Sequence, residues 1–211
     1  MRASALTRRT VLAFAAAGAM AISACNSADS ATKGAQAATL GKASAPVTVT
    51  EYASVTCGHC ASWDEQIWPK FKAKYVDTGV VKYELREMLT PPNQVSAAGW
   101  LLAGCAPKDK YFDVVRAIYR GQGEMQQSGD YRGVLLRVAK SAGMTEAQFE
   151  KCVGDEKALL ALNSRVEAAV ERGVEGTPTF FINGKKHEGD ITLEGFDAAI
   201  GPLVRGKKRT G

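Results

Sequence analysis

Apolar and polar residues alternate in two short stretches of this chain, and a long helical pattern separates them from a third stretch that is rich in β-prone residues. The alternating stretches, at 47–53 and 80–85, predict β-strands because successive side chains of a strand point to opposite faces. The β-prone residues at 179–182 predict a third strand. Between 93 and 172, apolar residues recur with the period of an α-helix. The predicted order is therefore β-α-β, a helical block, and β-β-α.

The helical block is punctuated by Gly, Pro and Asp residues, which divide it into five segments. The predicted helices are Ser96–Cys105, Tyr111–Tyr119, Tyr131–Ala142, Glu146–Val153 and Lys157–Arg172. Thr145 followed by Gln148 matches a capping box, in which side chains and backbone N–H groups satisfy one another at a helix start.

A further helix is predicted over Ala61–Tyr75, and Pro69 predicts a kink in it because proline lacks a backbone N–H. Its aromatic residues, together with Trp100, are expected in the core; they are Trp63, Trp68 and Phe71. The remaining predicted elements are an edge strand that begins at Leu40, a return strand at Lys185–Glu188 after the hairpin residues Asn183 and Gly184, and a last helix at Leu193–Val204.

The N-terminal segment has the features of an export signal rather than of a folded domain. Basic residues precede an Ala-rich apolar run at 11–22, too short to span a bilayer comfortably, which predicts a signal peptide over 1–25. The sequence around Arg8 and Arg9 resembles a twin-arginine signal, and an ordinary basic signal region is the alternative. Residues 26–39, rich in Ala, Ser, Gly and Thr, predict a flexible tether.

Cys25 ends the sequence Ile22-Ser23-Ala24-Cys25, which resembles the cleavage box of bacterial lipoproteins. In such a box the cysteine becomes the lipid-bearing first residue. Removal of Cys25 with the signal peptide, or a free thiol, is the alternative. In each case the protein leaves the cytoplasm for the periplasm or cell envelope, where disulfides persist.

The length and the net charge of the chain limit the classes of protein to which it can belong. A chain of 211 residues that is 45% hydrophobic suits one globular domain with an inserted subdomain. The net charge of +5 is modest and scattered. A short basic cluster at 205–211 indicates a solvated tail, because no aromatic residues interleave it as they would in a nucleic-acid site.

Four cysteines remain when Cys25 is set aside, and an even number in an oxidising compartment suggests two disulfides. Cys57 and Cys60 form the local pair. Cys105 and Cys152 would then form a long-range cross-link that stabilises the fold by restricting the unfolded chain. Two separate buried thiols at these positions are the alternative.

The candidate chemistry lies in Cys57-Gly58-His59-Cys60, between a predicted strand and a predicted helix. Free backbone N–H groups and the positive end of the helix dipole stabilise a thiolate at a helix N-terminus. That lowers the thiol pKa and makes the sulfur both a nucleophile and a good leaving group. The arrangement is typical of a redox-active disulfide.

Two motifs on either side of the helical block, Glu51–Cys60 and Gly176–Gly184, together resemble those of DsbA-like thiol–disulfide oxidoreductases. The resemblance covers about residues 40–204. It implies an α/β thioredoxin fold with an inserted all-helical subdomain. The implied parts are a first thioredoxin segment at 40–92, the insertion at 93–172 and a second thioredoxin segment at 173–204.

The resemblance also implies roles for the site residues. Cys57 is the exposed sulfur that attacks or is attacked, and Cys60 is the more buried resolving thiol. The Thr177-Pro178 peptide would be cis, with its backbone free to pair with an extended substrate strand; a trans proline that opens an edge strand is the alternative.

Two further residues have implied roles in proton and charge handling. Glu51 matches a buried acid that moves protons to and from the resolving thiol, and its alternation with Val47, Val49 and Ala53 supports burial. A salt-bridged edge residue is the alternative. The ring of His59 would stabilise the Cys57 thiolate, with a solvated surface histidine as the alternative.

The function implied is donation of disulfides to reduced or unfolded exported proteins, by a monomer that needs no cofactor or metal and is reoxidised by a DsbB-like membrane partner. Gly58-His59 and Thr177 depart from the Pro-His and Val common in the strongest oxidants, which leaves isomerase and reductase open. A different functional class is copper or zinc handling through Cys57, His59 and Cys60. A structural zinc site normally requires four ligands, however, and these residues supply only three. The last alternative class is a structural lipoprotein in which the Cys57–Cys60 disulfide is inert.

Overall fold

The computed structural model describes residues 38–207. The predicted signal peptide, the lipidation site at Cys25, the tether up to residue 37 and the chain beyond residue 207 lie outside this part. The domain boundaries predicted for those segments stay predictions.

A five-stranded mixed sheet forms the centre of the fold, in the order β1-β3-β2-β4-β5. Its strands are β1 (Ala38–Leu40), β2 (Val47–Ala53), β3 (Val81–Glu87), β4 (Thr179–Ile182) and β5 (Lys185–Lys186). β2 runs parallel to β3, and the other pairs are antiparallel. The bounds predicted for β4 are confirmed, and β1 is the edge strand expected around Leu40.

Eight α-helices surround and extend this sheet in the described part of the chain. They are α1 (Gly58–Gln66), α2 (Trp68–Phe71), α3 (Asn93–Cys105), α4 (Tyr111–Ser128), α5 (Tyr131–Ser141), α6 (Glu146–Val153), α7 (Glu156–Glu171) and α8 (Leu193–Lys207). A π-helical turn at Lys72–Val76 continues α2, and a 3-10 turn at Lys108–Lys110 precedes α4. The five helices from α3 to α7 form the insertion between β3 and β4.

The helix after the cysteine pair breaks earlier than predicted. α1 ends at Gln66, Ile67 separates it from α2, and Pro69 lies in the first turn of α2. Pro69 has no N–H to donate to the carbonyl of Glu65, so the hydrogen-bond ladder of α1 stops before the proline and a second helix begins there.

α4 is nine residues longer than the predicted segment, which ended at Tyr119. The sequence from 120 to 128 is polar and contains two glycines, so its apolar period is lost. Gln122 and Met125 are nevertheless buried and lie on the same face as Ile118. The helix continues because this face still packs on the core.

The hairpin between β4 and β5 has the backbone that Asn183-Gly184 predicts. Both residues have positive φ, 47° and 81°, as a tight turn of this type requires. Asn183 also pairs with the neighbouring strand, since its side-chain oxygen accepts from the Thr48 N–H at 2.8 Å. The return strand is shorter than predicted and ends at Lys186.

Aromatic side chains fill the core between the sheet and α1, α2 and α8. The predicted core residues are buried, and their rings contact one another at centroid distances such as 4.5 Å between Trp68 and Tyr83 and 4.8 Å between Trp63 and Phe180. A smaller cluster that includes Tyr52, Phe181 and Ala169 packs α7 against the sheet.

A disulfide joins Cys105, at the end of α3, to Cys152 in α6, with their Cα atoms 6.2 Å apart. It cross-links positions separated by 47 residues within the insertion. The capping box is also confirmed, since the side chains of Thr145 and Gln148 bond each other's backbone N–H groups at the start of α6. Within residues 38–207, every helix is too short or too polar to cross a bilayer.

Candidate active site

Cys57 is the N-cap residue of α1, at the end of the loop that follows β2. Its backbone is extended (φ −84°, ψ 117°), and its Sγ accepts from the backbone N–H of Cys60 at 3.3 Å. Both cysteines are free thiols. Cys57, expected to be the exposed sulfur, is only 8% exposed because the loop before β4 covers it, and Cys60 is fully buried, as expected for the more buried of the two. The sulfur of Cys57 therefore faces the open backbone N–H groups of the first helical turn, the position that stabilises negative charge.

The environment lowers the pKa of the Cys57 thiol to about 5. The largest cause is the hydrogen bond from the Cys60 thiol, which opposes the effect of partial burial. The backbone N–H groups of Cys60 and His59 lower the pKa further. At neutral pH Cys57 is therefore a thiolate.

The pKa of the Cys60 thiol is shifted the other way, well above its ordinary value. Burial is the largest cause, and the hydrogen bond to Cys57 and the negative charges of Glu51 and Cys57 add to it. The two thiols are one helical turn apart, yet their pKa values are shifted in opposite directions. At neutral pH the Cys57 sulfur is therefore ionised while the Cys60 sulfur is protonated.

Glu51 lies in β2 with only 2% of its surface exposed, among the apolar side chains with which it alternates in sequence. Burial raises its pKa to about 8, although the hydroxyl of Tyr83 donates a hydrogen bond to Oε2 and partly offsets this effect. Asp64 and Cys57 raise the pKa further, and Arg116 lowers it. The carboxyl can therefore bind and release a proton near neutral pH.

The loop that precedes β4 lies directly against the Cys57 sulfur. The Thr177–Pro178 peptide bond is cis, and Cys57 Sγ lies 3.3 Å from the Thr177 carbonyl oxygen, to which the protonated thiol donates. The Thr177 hydroxyl is buried without a hydrogen-bond partner in the described structure. The structure thus brings the pair Cys57 and Cys60 together with the pair Thr177 and Pro178, more than a hundred residues away in sequence.

The side chain of His59 is exposed at the start of α1. The group of His59 that lowers the pKa of Cys57 is its backbone N–H. The sequence-based hypothesis assigned this effect to the imidazole ring, and that assignment stays a prediction.

Gln122 is a residue that the sequence analysis missed. Its buried side-chain amide, in α4, donates to the backbone carbonyls of Val55 at 2.8 Å and Cys57 at 3.2 Å. The signal was present in the sequence, since Gln122 follows Ile118 by four residues and precedes Met125 by three on one helical face. A polar residue on an apolar face needs a buried partner.

Four hydroxyl groups join the Cys57 loop to the loop after β3 and to the start of α3. Ser54 Oγ lies 2.8 Å from both Ser96 Oγ and Thr90 Oγ1, and Thr56 Oγ1 donates to the Thr90 carbonyl at 2.8 Å. The second loop continues into a cis Pro91–Pro92 bond, and both prolines are exposed. The two loops are therefore held together by a network that is largely shielded from water.

Within residues 38–207, no group of three or more His, Cys, Asp or Glu side chains converges as metal ligands would. Cys57, His59 and Cys60 form no such set, because His59 faces solvent while Cys60 is buried. The geometry thus gives the metal-handling alternative no support from this part of the chain.

A family model described as thioredoxin matches residues 33–201. The protein named “Putative protein-disulfide oxidoreductase” of Rickettsia bellii is 30% identical over 172 residues, which cover 80% of this chain and 65% of that protein. A second relative, “Putative protein-disulfide oxidoreductase RP025” of Rickettsia prowazekii, is 32% identical over 164 residues, covering 76% of this chain and 59% of that protein. The chain thus spans slightly less than two-thirds of the length of these curated relatives.

Solved structures share the architecture. The crystal structure of Wolbachia pipientis alpha-DsbA1 superposes with a TM-score of 0.71 at 26% identity, covering 82% of this chain and 92% of that one. BdbD from Bacillus subtilis has the same fold, with a TM-score of 0.70 at 21% identity over 80% of this chain and 93% of that one. The predicted thioredoxin fold with a helical insertion is confirmed, and the chain belongs to the thioredoxin family as a DsbA-like member.

Proposed function

We propose that the protein is a thiol–disulfide oxidoreductase that donates a Cys57–Cys60 disulfide to reduced exported proteins. The observation that carries the proposal is the opposite shift of two neighbouring thiols, with the pKa of Cys57 lowered and that of Cys60 raised. A stabilised thiolate favours the reduced form of the pair, so its disulfide accepts electrons readily. The proposed direction is therefore oxidation of the substrate.

The exchange takes place in two steps. A substrate thiolate attacks Cys57 Sγ in the oxidised protein, a mixed disulfide forms, and the bond to Cys60 breaks. The electron pair of that bond moves to Cys60, which takes a proton from Glu51. A second substrate thiolate then attacks the substrate sulfur held by Cys57. The substrate loses two electrons and gains a disulfide, and the pair is left as a Cys57 thiolate and a Cys60 thiol.

The loop around the cis proline is the proposed substrate-binding element. The Thr177 carbonyl lies 3.3 Å from the reactive sulfur, so a strand paired with this backbone would carry its cysteine to Cys57. Glu51 is the proposed proton donor and acceptor for Cys60. His59 is proposed to favour the thiolate, and Cys105–Cys152 to act as the structural disulfide.

We place the protein outside the cytoplasm, as a monomer anchored through lipidated Cys25 in the periplasm or cell envelope. The Cys105–Cys152 disulfide supports this location, since such bonds persist in oxidising compartments. Each transfer leaves the active-site pair reduced, so a DsbB-like membrane oxidant is the proposed redox partner.

Equilibration of the purified protein with glutathione buffers tests the proposal. The fraction of Cys57–Cys60 disulfide gives the reduction potential, and a value of about −120 mV would indicate a donor of disulfides. A value of about −270 mV would indicate a reductase instead.

A second experiment follows the reaction intermediate. Cys60→Ser should accumulate a mixed disulfide with a reduced test protein, whereas Cys57→Ser should form none. Faster repair of a scrambled substrate than oxidation of a reduced one would indicate an isomerase.

A further inference from the structure

A small cavity lies beside the buried carboxyl of Glu51. Its volume is about 10 Å³, roughly the smallest that accommodates one water molecule. The residues that line it come from the sheet, from α1 and from α4; they are Glu51, Tyr83, Leu85, Asp64, Phe112, Val115, Arg116 and Tyr119. Most of the polar groups of this lining can donate or accept a proton.

An open groove of about 470 Å³ lies on the other side of the same wall, between α1 and α2 on one side and α4 on the other. Three residues line both the cavity and the groove: Asp64, Arg116 and Tyr119. These three side chains therefore form the partition between Glu51 and solvent.

The partition contains an ion pair that faces both sides. Arg116 Nε donates to Asp64 Oδ1 at 3.3 Å, and the two side chains are 24% and 22% exposed. The Arg116 guanidinium also lies over the ring of Trp68, 5.2 Å from its centroid, which fixes the pair against α2. Tyr119 is buried and holds its proton firmly, because burial raises its pKa well above the ordinary value. Asp64 is thus the group of the partition suited to exchange protons.

The proposed reaction requires Glu51 to exchange protons with solvent. After it gives a proton to Cys60, Glu51 binds another at neutral pH because its pKa is about 8. It must release that proton before it can accept the Cys60 proton during reoxidation. Glu51 itself has almost no contact with solvent, so the proton has to pass through the surrounding groups.

We propose that Asp64, held by Arg116, carries protons between the groove and Glu51 through the small cavity. The proposal rests on the proposed function, and Asp64 is a positioning residue because it acts on Cys60 only through Glu51. Burial raises the pKa of Asp64 above that of an ordinary aspartate, which brings its protonated form closer to neutral pH. The charged and titratable groups around the path are Cys57, Cys60, Glu65, Tyr83, Arg116, Tyr119 and Arg120.

Reoxidation of the reduced protein by oxidised glutathione, followed between pH 5 and 9, tests this path. The Cys57 thiolate attacks glutathione disulfide, one glutathione leaves as thiolate, and Cys60 then displaces the second after losing its proton. Asp64→Asn should slow this second displacement at least about threefold and change its pH profile. Glu65→Gln is the matched control, because Glu65 lines the groove but not the cavity, and its rate should equal that of the wild type.

Chemical rescue separates proton transfer from a structural effect. Asp64→Ala should also slow the displacement of glutathione by Cys60. Added formate should restore the rate of this step, because a small carboxylic acid fits the space left by the side chain. Alkylation of Cys57 by iodoacetamide should be unchanged in all variants, which shows that the active-site loop is intact.

Two results overturn the proton path. One is a rate for Asp64→Asn and Asp64→Ala equal to that of the wild type at every pH, and the other is slow reoxidation that formate does not restore. Failure of the proposed function is a different outcome that appears in the wild type itself, either as a reductase-like potential in the glutathione equilibrium or as no disulfide exchange with glutathione at any pH.

Discussion

The side-chain amide of Gln122 donates to the backbone carbonyl of Cys57 at 3.2 Å. The same nitrogen donates to the carbonyl of Val55 at 2.8 Å. The amide comes from α4, in the helical insertion, and the carbonyls belong to the loop that presents the reactive sulfur. The insertion is thus part of the support for the active site.

Replacement of Gln122 by Met should leave these buried carbonyls without their donor. We expect a loss of about 1–3 kcal/mol in the free energy of unfolding, the usual cost of an unsatisfied buried polar group. Urea titration followed by far-UV circular dichroism measures it. Gln126→Met, on an exposed position of the same helix, should change stability by less than about 0.5 kcal/mol. Equal losses in the two variants would contradict the role of the hydrogen bonds.

Cys57 should be alkylated by iodoacetamide with a midpoint near pH 5, the value to which its pKa is lowered. Only the thiolate reacts, so the rate should rise through that pH and be constant by neutral pH. Thiolate absorbance at 240 nm gives the same midpoint independently. Cys60→Ala should raise the midpoint, since it removes the hydrogen bond from the Cys60 side chain that is the largest cause of the shift. A midpoint near that of a free cysteine would support an inert disulfide instead.

Glu51 should make the reduced protein less stable as pH rises. Its pKa is about 8 in the folded protein and near the ordinary value of 4.5 in the unfolded chain. Between these values the unfolded chain is ionised at this position and the folded protein is not, so the stabilisation present below pH 4.5 is lost progressively up to about pH 8.

Comparison of Glu51→Gln with the wild type isolates that contribution. Cys57 has the opposite effect, because its lowered pKa adds stability as pH rises, but this effect is common to both proteins. The variant should therefore gain stability relative to the wild type between pH 5 and 8, by a few kcal/mol at about 1.4 kcal/mol per pKa unit. Urea unfolding at the two pH values measures it, and Glu188→Gln, at an exposed position, should show no such gain.

Removal of the Cys105–Cys152 disulfide should destabilise the helical insertion. The bond closes a span of 47 residues, for which loop-closure entropy predicts a loss of about 4 kcal/mol. Cys105→Ala combined with Cys152→Ala should lower the free energy of unfolding by roughly that amount, measured by urea denaturation. Stability unchanged in the double variant would show that the unfolded chain is not restricted by this bond.

Strong local signals predicted much of this fold. The alternation in β2, the capping box before α6 and the Asn183-Gly184 turn each depend on a few neighbouring residues, and each is found in the structure. The end of α4 could not be predicted from an apolar period, because a buried glutamine occupies one of its core-facing positions. Tertiary packing decides the length of that helix.

The site was only partly accessible to sequence reasoning. The Cys57–Cys60 pair is a local motif, and the resemblance placed Thr177 and Pro178 beside it. The ion pair of Asp64 and Arg116 within the partition depends on how α1 and α4 pack, and 52 residues separate the two side chains. A carboxylate and a guanidinium this far apart give no signal until the helices are brought together.

The hydroxyl network of Ser54, Thr56, Thr90 and Ser96 has a consequence for the proposed substrates. Because it holds two loops together beside Cys57, a peptide that binds there would immobilise little additional motion of the protein. On the proposed function, the entropic cost of association would then fall mainly on the substrate, and an extended, unstructured chain would meet that cost by pairing with an edge that is already formed.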